Sequence, residues 1–203
     1  MKLYYFPGAC SLSPHIVARE AGLPIDLVKV DIKHGNQLAD GTDFATINSK
    51  GYVPVLELDD GQRLTEGPAI VQYLADRKPE SGLAPPAGSM ARYRLQEWLN
   101  FITSEIHKVF SPMFNPASSE DSKREARETL TRRFDWLSEQ LAGKSYLLDG
   151  QFTVADAYLF TMLNWSRWTD IDLGRWPVLQ DYVARVAARP KVLEAMKVER
   201  LVK

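Results

Sequence analysis

Among its 203 residues the chain has one cysteine, Cys10, and three histidines. A single cysteine excludes an internal disulfide framework and fits a reducing compartment, so a cytoplasmic location is expected. No stretch approaches the roughly 20 apolar residues that a membrane-spanning helix needs. The apolar start MKLYYF breaks at Pro7-Gly8, too early for an export signal. Neither sign of charge is in excess: 25 Lys+Arg face 26 Asp+Glu, a formal net charge of −1. That balance gives no electrostatic reason to expect nucleic acid or an anionic membrane as partner. Internal repeats and low-complexity tracts are missing, as are G-x-G-x-x-G and Walker loops. The lone Cys and the scattered His show no metal-ligand spacing, so no metal is expected.

What remains is an ordinary globular composition, 45% hydrophobic and 25% charged. Strand and helix signals alternate over the first eighty residues. Residues 2–6, an aromatic-rich run closed by Pro7-Gly8, read as a buried strand. Ser11 or Ser13 can cap a helix over 14–21, with Pro14 in its first turn and Gly22 past its end. Residues 27–32 alternate as a second strand, and 33–51, rich in Gly, Asn and Asp, read as a loop with room for one helical turn. VPVLELDDGQRLTEG reads as two short strands around Asp59-Asp60-Gly61, followed by a helix opened by Gly67-Pro68. This order, β-α-β then β-β-α, predicts a thioredoxin-like mixed sheet.

A Pro- and Gly-rich stretch over 79–89 follows, and strand signals stop beyond it. Residues 90–110, 120–142, 153–170 and 178–188 show helical apolar spacing, with a last short helix after Pro190. The expected fold is an α/β thioredoxin-like N-terminal domain over 1–80, a linker at 81–89 and an all-α C-terminal domain over 90–203. Thr153 and Asp156 have the spacing of a capping box before the apolar run AYLFTML, a folding signal rather than a chemical one.

Cys10 is the first candidate for chemistry. It follows a strand and adjoins a helix N-terminus, where unpaired N–H groups favour a thiolate. Against this stands the common role of a buried cysteine as a small hydrophobe, which the polar context PGACSLSP weakens. Cys10-Ser11-Leu12-Ser13 is C-x-x-S, so redox chemistry would have to pass through a mixed disulfide with an external thiol. His107 is the second candidate: at helical spacing Asn100, Ser104 and His107 share one polar face, which reads either as a site or as a solvated surface. His15 and His34 show no site signal, and Trp165 and Trp168 read as packing anchors. At Glu66-Gly67-Pro68 a helix mouth can hold a carboxylate while Glu66 accepts from an ammonium group, which suits an α-amino-acid end. Val53-Pro54 opens a strand, and a cis bond there would leave the backbone of Val53 to pair with an extended peptide.

Together KLYYFPGACSLSPHI, GYVPVL, LTEGPAIVQYLAD, WLNFITSEIHK and FTVADAYLF resemble the bacterial beta-class glutathione S-transferases over nearly the whole chain. The resemblance implies a detoxifying transferase that joins glutathione, its co-substrate, to small hydrophobic electrophiles, and a homodimer. It implies that Cys10 lies beside the glutathione sulfur and that His107 reaches the same region, both as sulfur-stabilising neighbours. It further implies a glutathione-binding set of Tyr5, Cys10, Val53 beside cis-Pro54, Glu66, Gly67, Asn100, Ser104, Glu105 and His107. Relatives carry a lysine near residue 35 for the glycyl carboxylate. Here the stretch is Lys33-His34-Gly35-Asn36, so that either Lys33 or His34 substitutes or glutathione binds more weakly, and neither residue is counted in the set. The alternative activity is thiol-disulfide exchange or reductive dehalogenation through Cys10. Phe110, Met113, Phe114 and Trp165 could line the electrophile pocket or belong to the core.

Overall fold

The computed structural model describes residues 1–148 and 150–203. The described chain divides into two compact units, Met1–Ala84 with Arg189–Lys203, and Pro85–Ala188.

The first unit is built on a four-stranded sheet. Strands β1 (Lys2–Tyr5), β2 (Asp26–Lys29), β3 (Val55–Glu57) and β4 (Arg63–Thr65) lie in the order β2-β1-β3-β4. β1 and β2 are parallel, a pairing that requires a crossover, and α1 (Leu12–Glu20) supplies it. β3 is antiparallel to both β1 and β4, the hairpin closing through Asp59-Asp60-Gly61, with Gly61 at φ 84°. Side chains alternate across the sheet. Tyr4 and Val55, opposite each other in register, pack on one side with Val30, Val53 and Phe44. Phe44 comes from the single short turn of the 33–51 loop, Phe44–Thr46, and its buried ring gives that loop a core of its own. Leu3 and Leu56 point the other way and are buried, as are Leu12, Ile16 and Val17 of α1 and Ile70, Val71 and Leu74 of α2 (Gly67–Asp76). Each such side chain contributes about 2 kcal/mol of burial free energy.

The last fifteen residues differ from the expectation of one helical domain over 90–203. Helix α8 (Pro190–Val198) packs on α1, and the segment belongs to the first unit. Polar contacts explain why. Arg189 grips the Glu20 carboxylate with Nε at 2.7 Å and Nη2 at 2.8 Å, a bidentate pair. Just past α8, the Glu199 carboxylate is buried and accepts from His15 Nδ1 at 2.8 Å and from the Gly8 amide at 2.9 Å. Arg19 Nε donates to His15 Nε2 at 3.3 Å, which leaves Nδ1 as the donor of a neutral imidazole. Amphipathic spacing tells that α8 buries a face, but not against which helix.

The second unit is helical: α3 (Met90–Phe101), a π-helical segment over Ile102–His107, α4 (Ser111–Phe114), α5 (Glu120–Leu141), α6 (Val154–Asn164) and α7 (Pro177–Ala187). Ser89 caps α3 by accepting from the Arg92 amide at 3.1 Å, and Arg92 Nε returns to the Pro85 carbonyl at 2.8 Å, closing the start of the unit. Helix α6 is buried along its whole length, and its polar residues Thr161 and Asn164 turn back to the Ala157 and Phe160 carbonyls of the same helix. At its start Asp156 Oδ2 accepts from the Thr153 amide at 2.9 Å, the return half of the capping box. Its other oxygen accepts from the Leu147 amide and the Tyr182 hydroxyl, each at 2.9 Å. Burial pushes the Asp156 carboxyl up, and these donors pull against that shift.

Two stability outcomes follow. Asp156→Ala removes the carboxylate that accepts from four buried donors, the Thr153 amide and hydroxyl, the Leu147 amide and the Tyr182 hydroxyl, and lowers stability by about 3 kcal/mol, which in a thermal melt is a Tm fall of roughly 6–12 °C. Glu199→Ala removes the acceptor of the Gly8 amide and of His15 Nδ1 inside the first unit and costs about 3 kcal/mol, measured by urea denaturation. A loss below about 1 kcal/mol in either variant would mean that water replaces the missing acceptor.

Candidate functional site

Pairing register decides which loops meet. Tyr5 at the end of β1 lies opposite Lys29 at the end of β2, Tyr4 opposite Val55 at the start of β3, and Val55 opposite Thr65 at the end of β4. The segment after β1 with Cys10, the Val53-Pro54 step, the Glu66 turn and the loop bearing Lys33 and His34 therefore all leave one edge of the sheet.

The Cys10 segment is tightly tied. Ser11 Oγ bonds both the amide and the carbonyl of Phe6, each at 3.2 Å, and Ser13 Oγ donates to the Cys10 carbonyl at 3.0 Å. Neither serine caps the helix, which begins at Leu12, two residues before the expected start. Gly8 takes φ 74°, a left-handed conformation that glycine adopts at no steric cost, and its amide is the one held by Glu199. No acidic side chain lies in the first turn of α1, so its positive end is not neutralised locally. The thiol is half-buried and donates to the Val53 carbonyl at 3.3 Å. The Val53-Pro54 bond is cis, and the Val53 carbonyl already has this partner. Tyr5 is half-buried beside His15, and burial, then the Glu199 charge, raise its phenol, so it acts as a neutral group at physiological pH.

At the other side of the edge Glu66 holds φ 69°, a left-handed conformation unusual for a residue with a side chain and of the kind found at ligand clamps. Its carbonyl accepts from the Ala69 and Ile70 amides at 3.0 Å, starting α2. Its carboxylate is paired with Lys50. Nothing approaches the α-carbon of Gly67 from the side where a Cβ would stand, so the helix mouth is open there. In the loop after β2, His34 bonds the Asp31 carboxylate at 3.0 Å and lowers that group, while Lys33 Nζ lies 5.9 Å from the centre of the Phe6 ring.

In the helical unit His107 sits at the end of the π-helical segment, so the 3.6-residue face drawn through Asn100, Ser104 and His107 does not persist. Asn100 and Ser104 are exposed, with Ser104 Oγ donating to the Asn100 carbonyl at 3.1 Å. His107 turns half-inward, its Nδ1 2.6 Å from the Tyr158 hydroxyl and its ring edge-on to Trp165 at 5.0 Å. Glu105 pairs with Arg133 of α5, Nε at 2.8 Å. Phe110 and Trp165 are buried core residues, Phe114 is exposed and packs edge-on to Trp165, and Trp168 is 51% exposed, which removes it as a packing anchor. No group of His, Cys, Asp or Glu among the described residues is arranged to hold a metal.

The residue reading missed Tyr158, Glu199 and Lys50. Tyr158 did carry a signal: a hydroxyl in an otherwise buried helix must find a partner. Glu199 carried none, since its partners lie 184 and 191 residues away.

Comparison with known proteins agrees with this architecture. The N-terminal domain of glutathione S-transferases matches residues 8–77 and the C-terminal domain matches 101–190. Glutathione S-transferase GstA of Escherichia coli O157:H7 is 43% identical over 99% of this chain and 100% of its own. The solved ternary complex of BphK, a bacterial GST, is 55% identical, covers 98% of this chain and 100% of that one, and superposes with a TM-score of 0.96. Two sphingomonad glutathione S-transferases are each 46% identical over 100% of both chains. One, complexed with glutathione, has a TM-score of 0.95, and the other, a bacterial beta class protein from Sphingomonas chungbukensis, 0.96. With the thioredoxin-like sheet, the helical unit and these likenesses together, the chain belongs to the glutathione S-transferase family of transferases, in its bacterial beta class.

Proposed function

We propose that the protein binds glutathione along the sheet edge and joins its sulfur to small hydrophobic electrophiles. The observation that carries this reading is the strand order. From β4 through β3 and β1 to β2 the edge presents the Glu66-Gly67 helix mouth, the Val53 backbone, the Cys10 thiol and Lys33. That sequence matches a γ-glutamyl zwitterion, a peptide backbone, a sulfur and a terminal carboxylate. Three interstrand spacings span about 14 Å, the scale of an extended tripeptide of about 10 Å plus the reach of its end groups. With His34 engaged by Asp31, Lys33 is the better partner for the glycyl carboxylate.

In the proposed step the glutathione thiol loses its proton to solvent, and the thiolate is stabilised by the positive end of α1 and by the Cys10 S–H, which turns from the Val53 carbonyl to the incoming sulfur. It then attacks the electrophilic carbon, forming the C–S bond as the leaving group departs with its electron pair. His107 acts as a second donor to the sulfur, an assignment carried by the family resemblance. Its support within the helical unit is the Tyr158 hydroxyl, which as donor to Nδ1 keeps the proton on Nε2. Glu105, Asn100 and Ser104 complete the glutathione set in this reading, and the exposed Phe114, packed on Trp165, suits an apolar electrophile. A homodimer is the assembly that the family resemblance implies.

A second reading has one observation in its favour: Cys10 is a half-buried thiol outside any disulfide, able to form a mixed disulfide with glutathione. Against it, the Ser13 hydroxyl of C-x-x-S is committed to the Cys10 carbonyl.

Under the conjugation reading, Cys10→Ala and His107→Ala each lower kcat for a chromogenic aryl halide by a factor on the order of 10², with glutathione affinity kept within about threefold, less than 1 kcal/mol. Unchanged turnover in both variants would remove these roles. Under the redox reading, Cys10→Ser abolishes reduction of a glutathione mixed disulfide while conjugation continues, and the isolated protein gains the mass of one glutathione.

A further inference from the structure

The Lys50–Glu66 pair stands where the proposed reading of the site puts the γ-glutamyl end, and it has no evident structural purpose. Lys50 Nζ meets the Glu66 carboxylate and donates to Thr65 Oγ1 at 3.0 Å. Both side chains are about half exposed, 42% and 57%, and exposed pairs of this kind add little to folding. The lysine is nevertheless delivered from a rigid turn. Asn48, buried, accepts the Lys50 amide at 3.2 Å and the Gly51 amide at 2.8 Å through its side chain and carbonyl respectively, and donates to the Tyr52 carbonyl at 2.7 Å. Asn36 Nδ2 fixes the Gly51 carbonyl at 3.1 Å. On the other side the Glu66 backbone is locked in its left-handed conformation by the start of α2. A cation and an anion, each on fixed backbone, are thus held against each other at the open mouth of a helix.

We propose that this pair is a selectivity device for a zwitterionic amino-acid end, opened by exchange: the incoming α-ammonium takes Glu66, and the incoming α-carboxylate takes Lys50. The proposal rests on the reading of Glu66 as the partner of the γ-glutamyl ammonium. A ligand that brings only an ammonium group would leave Lys50 unpaired, and one that brings only a carboxylate would leave Glu66 unpaired. Only a molecule carrying both charges on one carbon replaces both partners without loss. The contact with Glu66 raises the Lys50 ammonium, which is charged at neutral pH with or without the pair. The helix mouth at Gly67 adds attraction for the same carboxylate, so Lys50 sharpens a preference that α2 begins.

The test is calorimetric titration of wild type, Lys50→Met, Lys50→Arg and Glu66→Gln with three ligands: glutathione, its analogue without the α-amino group, and its analogue without the α-carboxylate. Steady-state KM and kcat for glutathione accompany the titrations. Lys50→Met is expected to weaken glutathione binding about fivefold, the upper range for a partly exposed ion pair. KM should rise by the same factor with kcat unchanged, and Lys50→Arg should restore the affinity. The loss should vanish for the analogue without the α-carboxylate. Equal or tighter glutathione binding by Lys50→Met, with its Tm unchanged, overturns the proposal and makes Lys50 a mere competitor or bystander. Failure of the underlying reading looks different: Glu66→Gln would then bind glutathione as wild type does, with no discrimination against the analogue lacking the amino group.

Discussion

A buried carboxylate underlies the geometry of the first unit. Glu199 has no contact with water, and an ionised group so placed is tolerable only with donors around it. One donor is the Gly8 amide, two residues before Cys10; the other is His15, in the helix that Cys10 introduces. The charge that would be costly alone thereby ties the C-terminal segment to α1 and to the turn that presents the thiol. Arg19, oriented toward Glu194 of α8, fixes the imidazole from its other nitrogen. The thiol's own contact, to the Val53 carbonyl, is a weak sulfur hydrogen bond, so its position owes more to the backbone anchoring on either side of it than to that bond.

Around this anchor the sheet acts as a ruler. Strand pairing brings four loops to one edge at regular spacing, and each brings a different chemistry: a carboxylate at a helix mouth, a peptide step, a thiol, an ammonium group. Loops alone could not hold such an order, because their backbone groups would need partners of their own. Here Asn48, Ser11, Ser13 and Asp43 provide those partners with short side-chain bonds inside the loops. The helical unit solves the same problem by burying α6 completely and satisfying its start with Asp156, so that Tyr158 can aim a hydroxyl at His107.

Much of this was readable in advance where the signal was local. The Asp-Asp-Gly hairpin, the Gly67-Pro68 helix start and the Thr153/Asp156 cap are each specified within about six residues, and each formed. Other local readings met a competing geometry. The polar face through Asn100, Ser104 and His107 assumed α-helical periodicity, and the π-helical segment broke it. Ser11 or Ser13 is expected to cap α1, but the Ser11 hydroxyl bonds Phe6 and the Ser13 hydroxyl the Cys10 carbonyl, each a choice between partners a few residues apart. Trp168 was read as an anchor, yet the turn that carries it leaves it exposed.

By its own pattern the chain determined the alternation of strands and helices, their approximate bounds and the residue types able to meet a zwitterion and a sulfur. These are matters of periodicity, capping and turn chemistry, which act over a few residues. Tertiary structure alone decided that α8 joins the first unit, that His15 and Glu199 are partners, that Lys50 faces Glu66 and that Tyr158 holds His107. Those pairings link residues 16 to 184 positions apart. For His15, Glu199, Tyr158 and His107 the packed core, by excluding water, makes an unpaired charge or hydroxyl costly enough to select the partner, whereas the exposed Lys50–Glu66 pair is set by the turns that carry it.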